Sequence, residues 1–365
     1  MSRLADRYGI SGSVCNKGSY VEIIARADEP VIGDFVHAIE AEAPERSAIV
    51  KVKVMDYPLD IEAQSGFEIA LSKHEDGQIF VSPDIATCPD CARELFDKNN
   101  RRYLHPFINC TQCGPRLTIL DSMPYDRVKT SMAGFPMCEA CSDEYTDMDS
   151  RRYHAQPVCC NDCGPELYTL VGRADGSATQ DAGAGSGRRG SGYSTAISDE
   201  IPDTGRPEGA YGAAALLATR AVIRNGGIAA IKGIGGFHLC CDAGSEAAVQ
   251  RLRQLKARPM KPFAVMMRDP DVVARECEPE AEMMTLLTGP QKPIILIPKK
   301  SERLSSGIEL QKHDISVTDN EEQSVQGTRV AASVAPHNPN LGVMLPYTPV
   351  HMLLFDYPGD EPISD

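Results

Sequence analysis

The fold is decided between residues 88 and 163, where the sequence reads C-P-D-C at 88–91, C-T-Q-C at 110–113, C-E-A-C at 138–141 and C-N-D-C at 160–163. Each set of two pairs encloses 18 residues, and 24 residues separate the two sets. Random placement of the 13 cysteines in 365 residues would give only about 0.5 such pairs. The spacing is therefore typical of metal-binding pairs rather than of scattered thiols.

The cysteine region is also an internal duplication. A shift of 50 residues superimposes the two sets, and it matches the surrounding stretches as well: 101–103 with 151–153, and 113–115 with 163–165. Since a repeat of this size cannot bury a full core, bound metal must supply folding free energy. The register selects Cys160 rather than its neighbour Cys159, because Cys159 falls on Asn109.

We predict two structural Zn²⁺ sites in a pair of Cys₄ ribbons, with ligands taken within each repeat: Cys88, Cys91, Cys110 and Cys113, then Cys138, Cys141, Cys160 and Cys163. Four protein ligands leave no open coordination position, which favours a structural role. A cross-braced pairing between repeats remains open at this point, and so does a Cys₄ iron–sulfur cluster. Disulfides or unpaired buried thiols are the plain alternative.

Composition limits the class of protein. The length corresponds to two or three domains, and 42% hydrophobic with 24% charged residues is globular composition. A net charge of −14 makes nucleic acid an unfavourable partner, and residues 81–170 themselves carry 9 basic against 13 acidic residues. No apolar run approaches the about 18 residues of a membrane span, and residues 1–10 lack a signal-peptide core. We expect a cytoplasmic protein with no membrane partner.

The segment before the cysteines, residues 1–72, has the pattern of a small α+β domain. Helical spacing joins Phe35 and Ile39, and strands are predicted at 20–25, at 50–54 and near 67–71. The run at 10–18, followed by 20–23, resembles the acylphosphatase family. That resemblance implies a ferredoxin-type α/β sandwich in which Asn16 is catalytic and orients the water that attacks the acyl phosphate. The family's phosphate loop, its arginine and its first strand would precede residue 1, so we expect a domain shortened at its start.

Residues 171–212 are rich in glycine, serine and aspartate, which is typical of a flexible linker. An α/β pattern occupies 213–365. There a short buried-type strand at 228–231 leads into K-G-I-G-G-F-H at 232–238. Glycines after a strand let the backbone approach a phosphate, with Lys232 as counter-charge. A tight turn explains the glycines equally well.

A second basic feature follows the helix predicted at 245–257. Lys256, Arg258 and Lys261 lie within six positions at its end, in a stretch (220–300) that carries 13 basic against 8 acidic residues. Such a cluster suits an anion, and an arginine can hold a phosphate with two hydrogen bonds. The alternative is a solvated basic helix end stabilised by the helix dipole.

The α/β part resembles the YrdC/Sua5 nucleotide-binding fold. The resemblance rests on the strand-and-glycine run, on the helix and on the signature Lys256-x-Arg258-Pro259 followed by Lys261-Pro262. It implies that the basic residues bind ATP phosphates and an acyl or carbamoyl donor while a carbonyl-adenylate forms. The site residues expected from it, for nucleotide and carbamoyl phosphate, are Lys232, His238, Lys256, Arg258 and Lys261.

Taken in order, the parts resemble the HypF family of [NiFe]-hydrogenase-maturation carbamoyltransferases. The expected fold class is multidomain α+β, with a partial acylphosphatase-like domain at 1–72, a double zinc finger at 80–170, the linker at 171–212 and a YrdC-like domain at 213–365. The resemblance implies the substrates carbamoyl phosphate and ATP with Mg²⁺, a carbamoyl-adenylate, and a HypE-type partner whose C-terminal cysteine accepts the carbamoyl group.

Some family features are not found in this sequence. The Ser-x-Asn motif that the YrdC fold places after Pro349 is absent, and Met352 stands where a second histidine follows His351. We therefore expect a fragment incomplete at both ends that does not transfer carbamoyl to a partner by itself. Two other classes stay open, a YrdC-type threonylcarbamoyl-adenylate synthase or nucleic-acid-binding module, and an inactive zinc scaffold.

Overall fold

The computed structural model describes residues 1–17, 20–43, 47, 49–56, 66–70, 82–170, 209–300 and 328–363. Backbone contacts divide the chain into two compact units, Met1–Ser82 and Pro83–Asp365. The predicted linker lies outside the described residues except for its last four positions. Within the described ranges, none of the helices combines the length and the apolarity that crossing a bilayer requires.

The described residues of the first unit form a three-stranded sheet with two helices. Its elements are α1 (Ser2–Tyr8), β1 (Ser11–Asn16), β2 (Val21–Arg26), α2 (Glu29–Ala41) and β3 (Phe67–Ala70). β1 lies between antiparallel β2 and parallel β3. Glycine is required at Gly12, since a Cβ there would lie 1.9 Å from the carbonyl oxygen of Ile24. Phe35 and Ile39 are buried with Ala5, as their helical spacing predicts.

The strand predicted at 50–54 is wrong. The described residues 49–56 form no strand, and Val50 and Val54 are 96% and 64% exposed. Strict alternation of apolar and polar residues defines two faces but supplies no neighbour with which to form hydrogen bonds. The strands predicted at 20–25 and near 67–71 do find a neighbour, because both pair with β1 as β2 and β3.

The second unit begins with the cysteine region, residues 83–170, in which one short motif occurs twice. Its two helices are α3 (Pro89–Phe96) and α4 (Glu139–Thr146), and each begins one residue after the first cysteine of its set. After each helix the chain passes through a left-handed residue, Leu104 with φ of 54° and His154 with φ of 52°. Helices and left-handed residues are thus related by the same 50-residue shift as the cysteines.

The other described part of the second unit is the α/β region, residues 209–300 and 328–363. Its elements are α5 (Gly212–Arg224), β4 (Ala229–Lys232), β5 (Phe237–Cys240), α6 (Glu246–Leu255), β6 (Ala264–Met266), α7 (Pro270–Glu276), α8 (Ala281–Thr288), β7 (Ile295–Pro298), β8 (Asn340–Met344) and α9 (Pro349–Phe355). β4 and β5 form a hairpin, and β8 lies between parallel β6 and antiparallel β7. Ser245 caps α6 by accepting a hydrogen bond from the Ala248 N–H at 3.3 Å.

The cysteine region and the α/β region share a hydrophobic core. The first cysteine set lies in one apolar cluster with Leu216 and Ile223 of α5 and with Leu353 and Leu354 of α9. A second cluster, which includes Val265, fills the space around β6, β7 and β8. The boundary predicted between 80–170 and 213–365 remains a prediction, because both parts belong to one compact unit.

Candidate functional site

The eight predicted zinc ligands come together as two sets of four, each within its own repeat. In each set the sulfur atoms lie within 4.8 Å of one another. The Cys88–Cys110 and Cys110–Cys113 Sγ separations are both 3.7 Å, far longer than a disulfide bond. A tetrahedron of Zn–S bonds of about 2.3 Å has edges of about 3.8 Å. Both sets therefore fit a tetrahedral zinc ion, and the cross-braced pairing of cysteines does not occur.

The second set has the same dimensions. Its Sγ separations are 3.8 Å for Cys138–Cys160, 3.8 Å for Cys160–Cys163 and 3.6 Å for Cys141–Cys163. Cys159 is outside the set and is buried beside His105, whose Nε2 lies 3.3 Å from its sulfur. Burial raises the pKa of Cys159 to about 12 and lowers that of His105 to about 4, so both are neutral.

The two repeats are tied together by arginines that sequence reasoning did not single out. Arg101 and Arg102 of the first repeat reach Glu144 and the sulfur atoms of the second set. The Arg101 Nη2 donates to Cys138 Sγ at 3.3 Å and to Cys141 Sγ at 3.1 Å. Arg102, 1% exposed, forms a two-pronged ion pair with Glu144, one prong measuring 3.0 Å.

The arginines of the second repeat make the corresponding contacts with the first cysteine set and with Glu94. Arg151 donates to Cys88 Sγ at 3.9 Å, to Cys91 Sγ at 3.8 Å and to Glu94 at 2.6 Å. Arg152 pairs with the other oxygen of Glu94. Four thiolates and one Zn²⁺ carry a formal charge of −2, so each arginine pair offsets the charge of the opposite site. The duplicated Arg-Arg-Tyr stretch was the signal available in the sequence.

Two of the predicted site residues flank the turn between β4 and β5: Lys232 is the last residue of β4, and His238 is the second residue of β5. Gly233 N–H donates to Gly236 O at 2.7 Å, which closes the hairpin between β4 and β5. A Cβ on Gly233 would lie 2.6 Å from His238 Nε2 and 3.0 Å from the hydroxyl of Tyr347. Gly233 and Gly236 thus allow a tight turn, and Gly233 leaves room for the side chains of His238 and Tyr347. Lys232 Nζ lies 5.0 Å from the centre of the Phe237 ring.

Two further residues join His238 that the sequence did not reveal. The Tyr347 hydroxyl lies 2.8 Å from His238 Nε2, and the His351 ring centre is 4.5 Å from that of Tyr347. His351 is 3% exposed, and its Nδ1 finds no hydrogen-bond partner among the residues that the structure describes. Burial lowers the pKa of His351 to about 3, so the ring is neutral. Nothing local in the sequence connects Tyr347 to His238, which lies 109 positions earlier in the chain.

The predicted anion-binding residues Lys256, Arg258 and Lys261 follow α6. Both lysines are exposed, and Arg258 is partly buried, where its Nη2 donates to Pro262 O at 2.6 Å. The buried Arg253 organises this segment: its Nη1 donates to Arg258 O at 2.8 Å and to Lys261 O at 3.2 Å. Sequence reasoning missed Arg253, although it lies beside the buried Leu252 on the apolar side of α6. The result is a fixed backbone that presents exposed positive charge.

The last predicted site residue, Asn16, belongs to the first unit. It ends β1, is exposed, and pairs in register with Val21 of β2. The adjacent Lys17 forms an ion pair of 3.4 Å with Glu22. The exposed side-chain amide of Asn16 therefore lies at the end of β1, beside its partner strand β2.

Comparison with known families matches three parts of the chain. A model described as acylphosphatase matches residues 1–69. One described as HypF finger matches 87–120 and 137–170, the two repeats. The Sua5/YciO/YrdC model, described as telomere recombination, matches 221–363.

Curated relatives match along nearly the whole chain. Carbamoyltransferase HypF of Synechocystis sp. is 38% identical over 96% of this chain, and probable carbamoyltransferase HypF of Methanocaldococcus jannaschii is 36% identical over 97%. The chain spans 38% and 39% of the length of these relatives.

Two solved HypF structures are also similar to this chain. Full-length HypF in a phosphate- and nucleotide-bound form aligns with a TM-score of 0.73 at 37% identity, covering 97% of this chain and 38% of that one. HypF of T. kodakarensis aligns with a TM-score of 0.64 at 31% identity, covering all of this chain and 40% of that one. With acylphosphatase, HypF-finger and Sua5/YrdC parts in sequence and HypF relatives along nearly its full length, this chain belongs to the HypF family.

Proposed function

We propose that this chain carries the carbamoyl-phosphate and ATP chemistry of a HypF carbamoyltransferase in [NiFe]-hydrogenase maturation. Carbamoyl phosphate and water would give carbamate and phosphate. Carbamate and ATP would then give carbamoyl-adenylate and pyrophosphate. Transfer of the carbamoyl group to the C-terminal cysteine thiolate of a HypE-type partner, with release of AMP, is assigned to the full-length protein, since this chain spans 38% of the length of its Synechocystis relative. The observation that carries the proposal is the succession of the three family parts along this chain, together with its similarity to relatives named carbamoyltransferases.

The first step is assigned to the acylphosphatase-like part. There Asn16, exposed at the end of β1, would accept a hydrogen bond from the attacking water and orient it toward the phosphorus atom. In this assignment the side chain positions the nucleophile and does not itself take a proton.

The second step is assigned to the segment after α6. Formation of an adenylate builds negative charge on the triphosphate, and fixed cations stabilise that charge best when they need no rearrangement. Lys256 and Lys261 are exposed on a backbone that Arg253 holds through three carbonyl groups. Mg²⁺, when bound to ATP, supplies further charge neutralisation on the phosphates. The solved HypF described as phosphate- and nucleotide-bound supports a nucleotide site in this family.

The cysteine sets have a different role in this proposal. Each offers four sulfur ligands at tetrahedral spacing, which leaves no open coordination position for a substrate or a water. We assign both to structural Zn²⁺ that holds the cysteine region together.

Carbamoyl-phosphate-dependent exchange of pyrophosphate into ATP tests the adenylation step. We expect exchange with the intact chain, and a fall of about tenfold or more for Lys256→Ala and for Lys261→Ala, since each removes a hydrogen bond to a charged group. Lys98→Ala, an exposed lysine of the cysteine region, is the matched control. Exchange that requires threonine and bicarbonate instead would favour a threonylcarbamoyl-adenylate synthase. Absence of ATP binding by calorimetry would favour an inactive zinc scaffold.

A further inference from the structure

Arg253, in the last turn of α6, is 7% exposed, and its hydrogen bonds within the described ranges all go to backbone carbonyl groups. Three of these carbonyl groups belong to residues 258–261. The other two belong to a second loop, where Nη2 donates to Val334 O at 3.0 Å and Nε donates to Ser333 O. This one side chain therefore holds the segment after α6 against residues 333–334.

The charge of Arg253 has no carboxylate partner, which distinguishes it from the other buried arginines of the described residues. Three of those form ion pairs: Arg102 with Glu144, Arg152 with Glu94, and Arg220 with Asp360. The fourth, Arg116, donates to the carbonyl group of the zinc ligand Cys110 at 3.0 Å. No carboxylate lies within ion-pair distance of Arg253 in the described ranges, and the oxygens of Glu246 accept hydrogen bonds from Ser333 instead. A buried cation without a counter-charge is unfavourable, so a bound anion would stabilise it.

The sequence around Arg253 adds positive charge and no negative charge. Residues 247–268 contain six basic and no acidic residues. Lys256 and Lys261, on the segment that Arg253 holds, are both exposed. An anion from outside this segment would offset the repulsion among these like charges.

Arg253 also determines where the side chain of Arg258 lies. The guanidinium carbon atoms of Arg253 and Arg258 are 4.6 and 5.1 Å from the centre of the same ring, that of Phe263. The backbone carbonyl group of Arg258 accepts from Arg253, and its Nη2 donates to Pro262 O. A change at Arg253 should therefore displace Arg258 as well as the backbone that carries the two lysines.

We propose that Arg253 is the positioning residue of a polyphosphate site formed by residues 256–261, and that the bound anion supplies the counter-charge that Arg253 lacks. Arg253 does not touch the phosphates in this arrangement, because its Nε, Nη1 and Nη2 groups all donate to carbonyl groups. The identification of the anion as ATP rests on the proposed function. The need for a counter-charge rests on the surroundings of Arg253.

Binding of inorganic tripolyphosphate to the full chain, measured by calorimetry, makes the test, because this probe has the phosphates without the nucleoside. Arg253→Lys keeps the positive charge, but a single ammonium group cannot hold the carbonyl groups of both segments. We expect it to bind tripolyphosphate about tenfold or more weakly than the wild type, with an unchanged circular dichroism spectrum.

Arg220→Lys is the matched control. Arg220 is also buried and donates to the carbonyl groups of Leu353, Leu354 and Glu361, but it is paired with Asp360. This variant should lower Tm and leave the affinity for tripolyphosphate within about twofold of the wild type, because the two arginines share no partner.

A measurement on the wild type needs no variant: the NMR signal of the Arg253 Nε–H should shift when tripolyphosphate is added. No binding of tripolyphosphate to the wild type, unchanged affinity in Arg253→Lys, an equal loss in Arg220→Lys, or an unshifted Arg253 signal would each overturn the proposal. Pyrophosphate exchange separates this outcome from the proposed function. Arg253-dependent binding of tripolyphosphate without carbamoyl-phosphate-dependent exchange would count against adenylation and leave the role of Arg253 supported.

Discussion

The two cysteine sets have the same ligands and different surroundings. All four cysteines of the first set are buried, and their apolar cluster includes residues of α5 and α9. In the second set Cys138 and Cys163 are partly exposed, and the described hydrophobic residues clustered with it all belong to the cysteine region, between positions 107 and 163. Duplication therefore reproduced the geometry of a metal site, while the α/β region packed against one copy. The first set supports two regions of the protein and the second supports one.

The largest expected effect follows from that difference. Removing one ligand from the first set by Cys113→Ala should unfold much of the second unit, because zinc binding by a Cys₄ set contributes on the order of 10 kcal/mol to folding. Removing the equivalent ligand by Cys163→Ala should leave the α/β region folded. Thermal unfolding followed by circular dichroism, with zinc content measured for each variant, gives the comparison. Equal losses of Tm and of α/β structure in the two variants would contradict it.

A readout inside the α/β region sharpens the same comparison. Thr87, which precedes the ligand Cys88, donates its N–H to Tyr347 O at 3.1 Å, and the Tyr347 hydroxyl meets His238. The NMR signals of His238 should therefore change in Cys113→Ala and stay in place in Cys163→Ala. Because each variant loses one metal ligand, a change confined to Cys113→Ala would show that the α/β region depends on the first set and not on the number of zinc ions bound.

The next largest effect is expected from the ion pairs that join the two repeats. Arg102→Ala would leave Glu144, which is 28% exposed, with Arg101 as its remaining close partner. We therefore expect a cost between that of an exposed pair, about 1 kcal/mol, and that of a buried pair broken from one side, about 3–5 kcal/mol. Arg152→Ala does the same to Glu94, and both arginines are at most 5% exposed. We expect equal losses in the free energy of unfolding, measured by urea denaturation. Arg102→Lys, which keeps the charge and loses the two-pronged geometry, should fall between the wild type and Arg102→Ala. A loss below about 1 kcal/mol for Arg102→Ala, the value of an exposed pair, would show that the interlocking arginines do not stabilise the fold.

The grouping of the zinc ligands could be predicted from the sequence. The contacts of the arginines with the opposite repeat could not, because they depend on packing between distant residues. Cys88 and Cys113 act through local spacing and a register that repeats, so their grouping follows from the chain alone. The contact of Arg102 with Glu144 joins residues 42 positions apart. Its existence depends on how the two repeats pack, which no local pattern records.

The difference between local patterns and distant contacts also explains which other predictions from the sequence were confirmed and which were wrong. The helix face of Phe35 and Ile39 was predicted because an amphipathic helix defines its own buried side. The strand at 50–54 failed because a strand requires a neighbour. Tyr347 was missed because its contact with His238 spans 109 positions.

A smaller effect separates the two outer arginines. Arg101 lies 3.1 and 3.3 Å from sulfur atoms of the second set, whereas Arg151 lies 3.8 and 3.9 Å from those of the first. Because hydrogen bonds to charged acceptors weaken with distance, Arg101→Ala should lower zinc affinity at the second set by about tenfold. Arg151→Ala should lower affinity at the first set by less. Chelator competition monitored by native mass spectrometry measures both, and Arg93→Ala, an exposed arginine of α3 paired only with Asp90 among the described residues, is the control. Loss of affinity in the reverse order would contradict the role assigned to the shorter contacts.

The smallest expected effect is that of Cys159→Ala, and it bears directly on the duplication. Cys159 corresponds to Asn109, lies next to the ligand Cys160, and is buried against His105. Since its sulfur is outside the second set, the variant should still bind two zinc ions per chain. It should lose only about 1 kcal/mol of stability, the cost of removing one small buried group. Cys160→Ala, one position along, should lose one zinc ion. If Cys159→Ala also lost a zinc ion, the 50-residue register would be wrong at this position, and the comparison of the two repeats would have to be redrawn around Cys159.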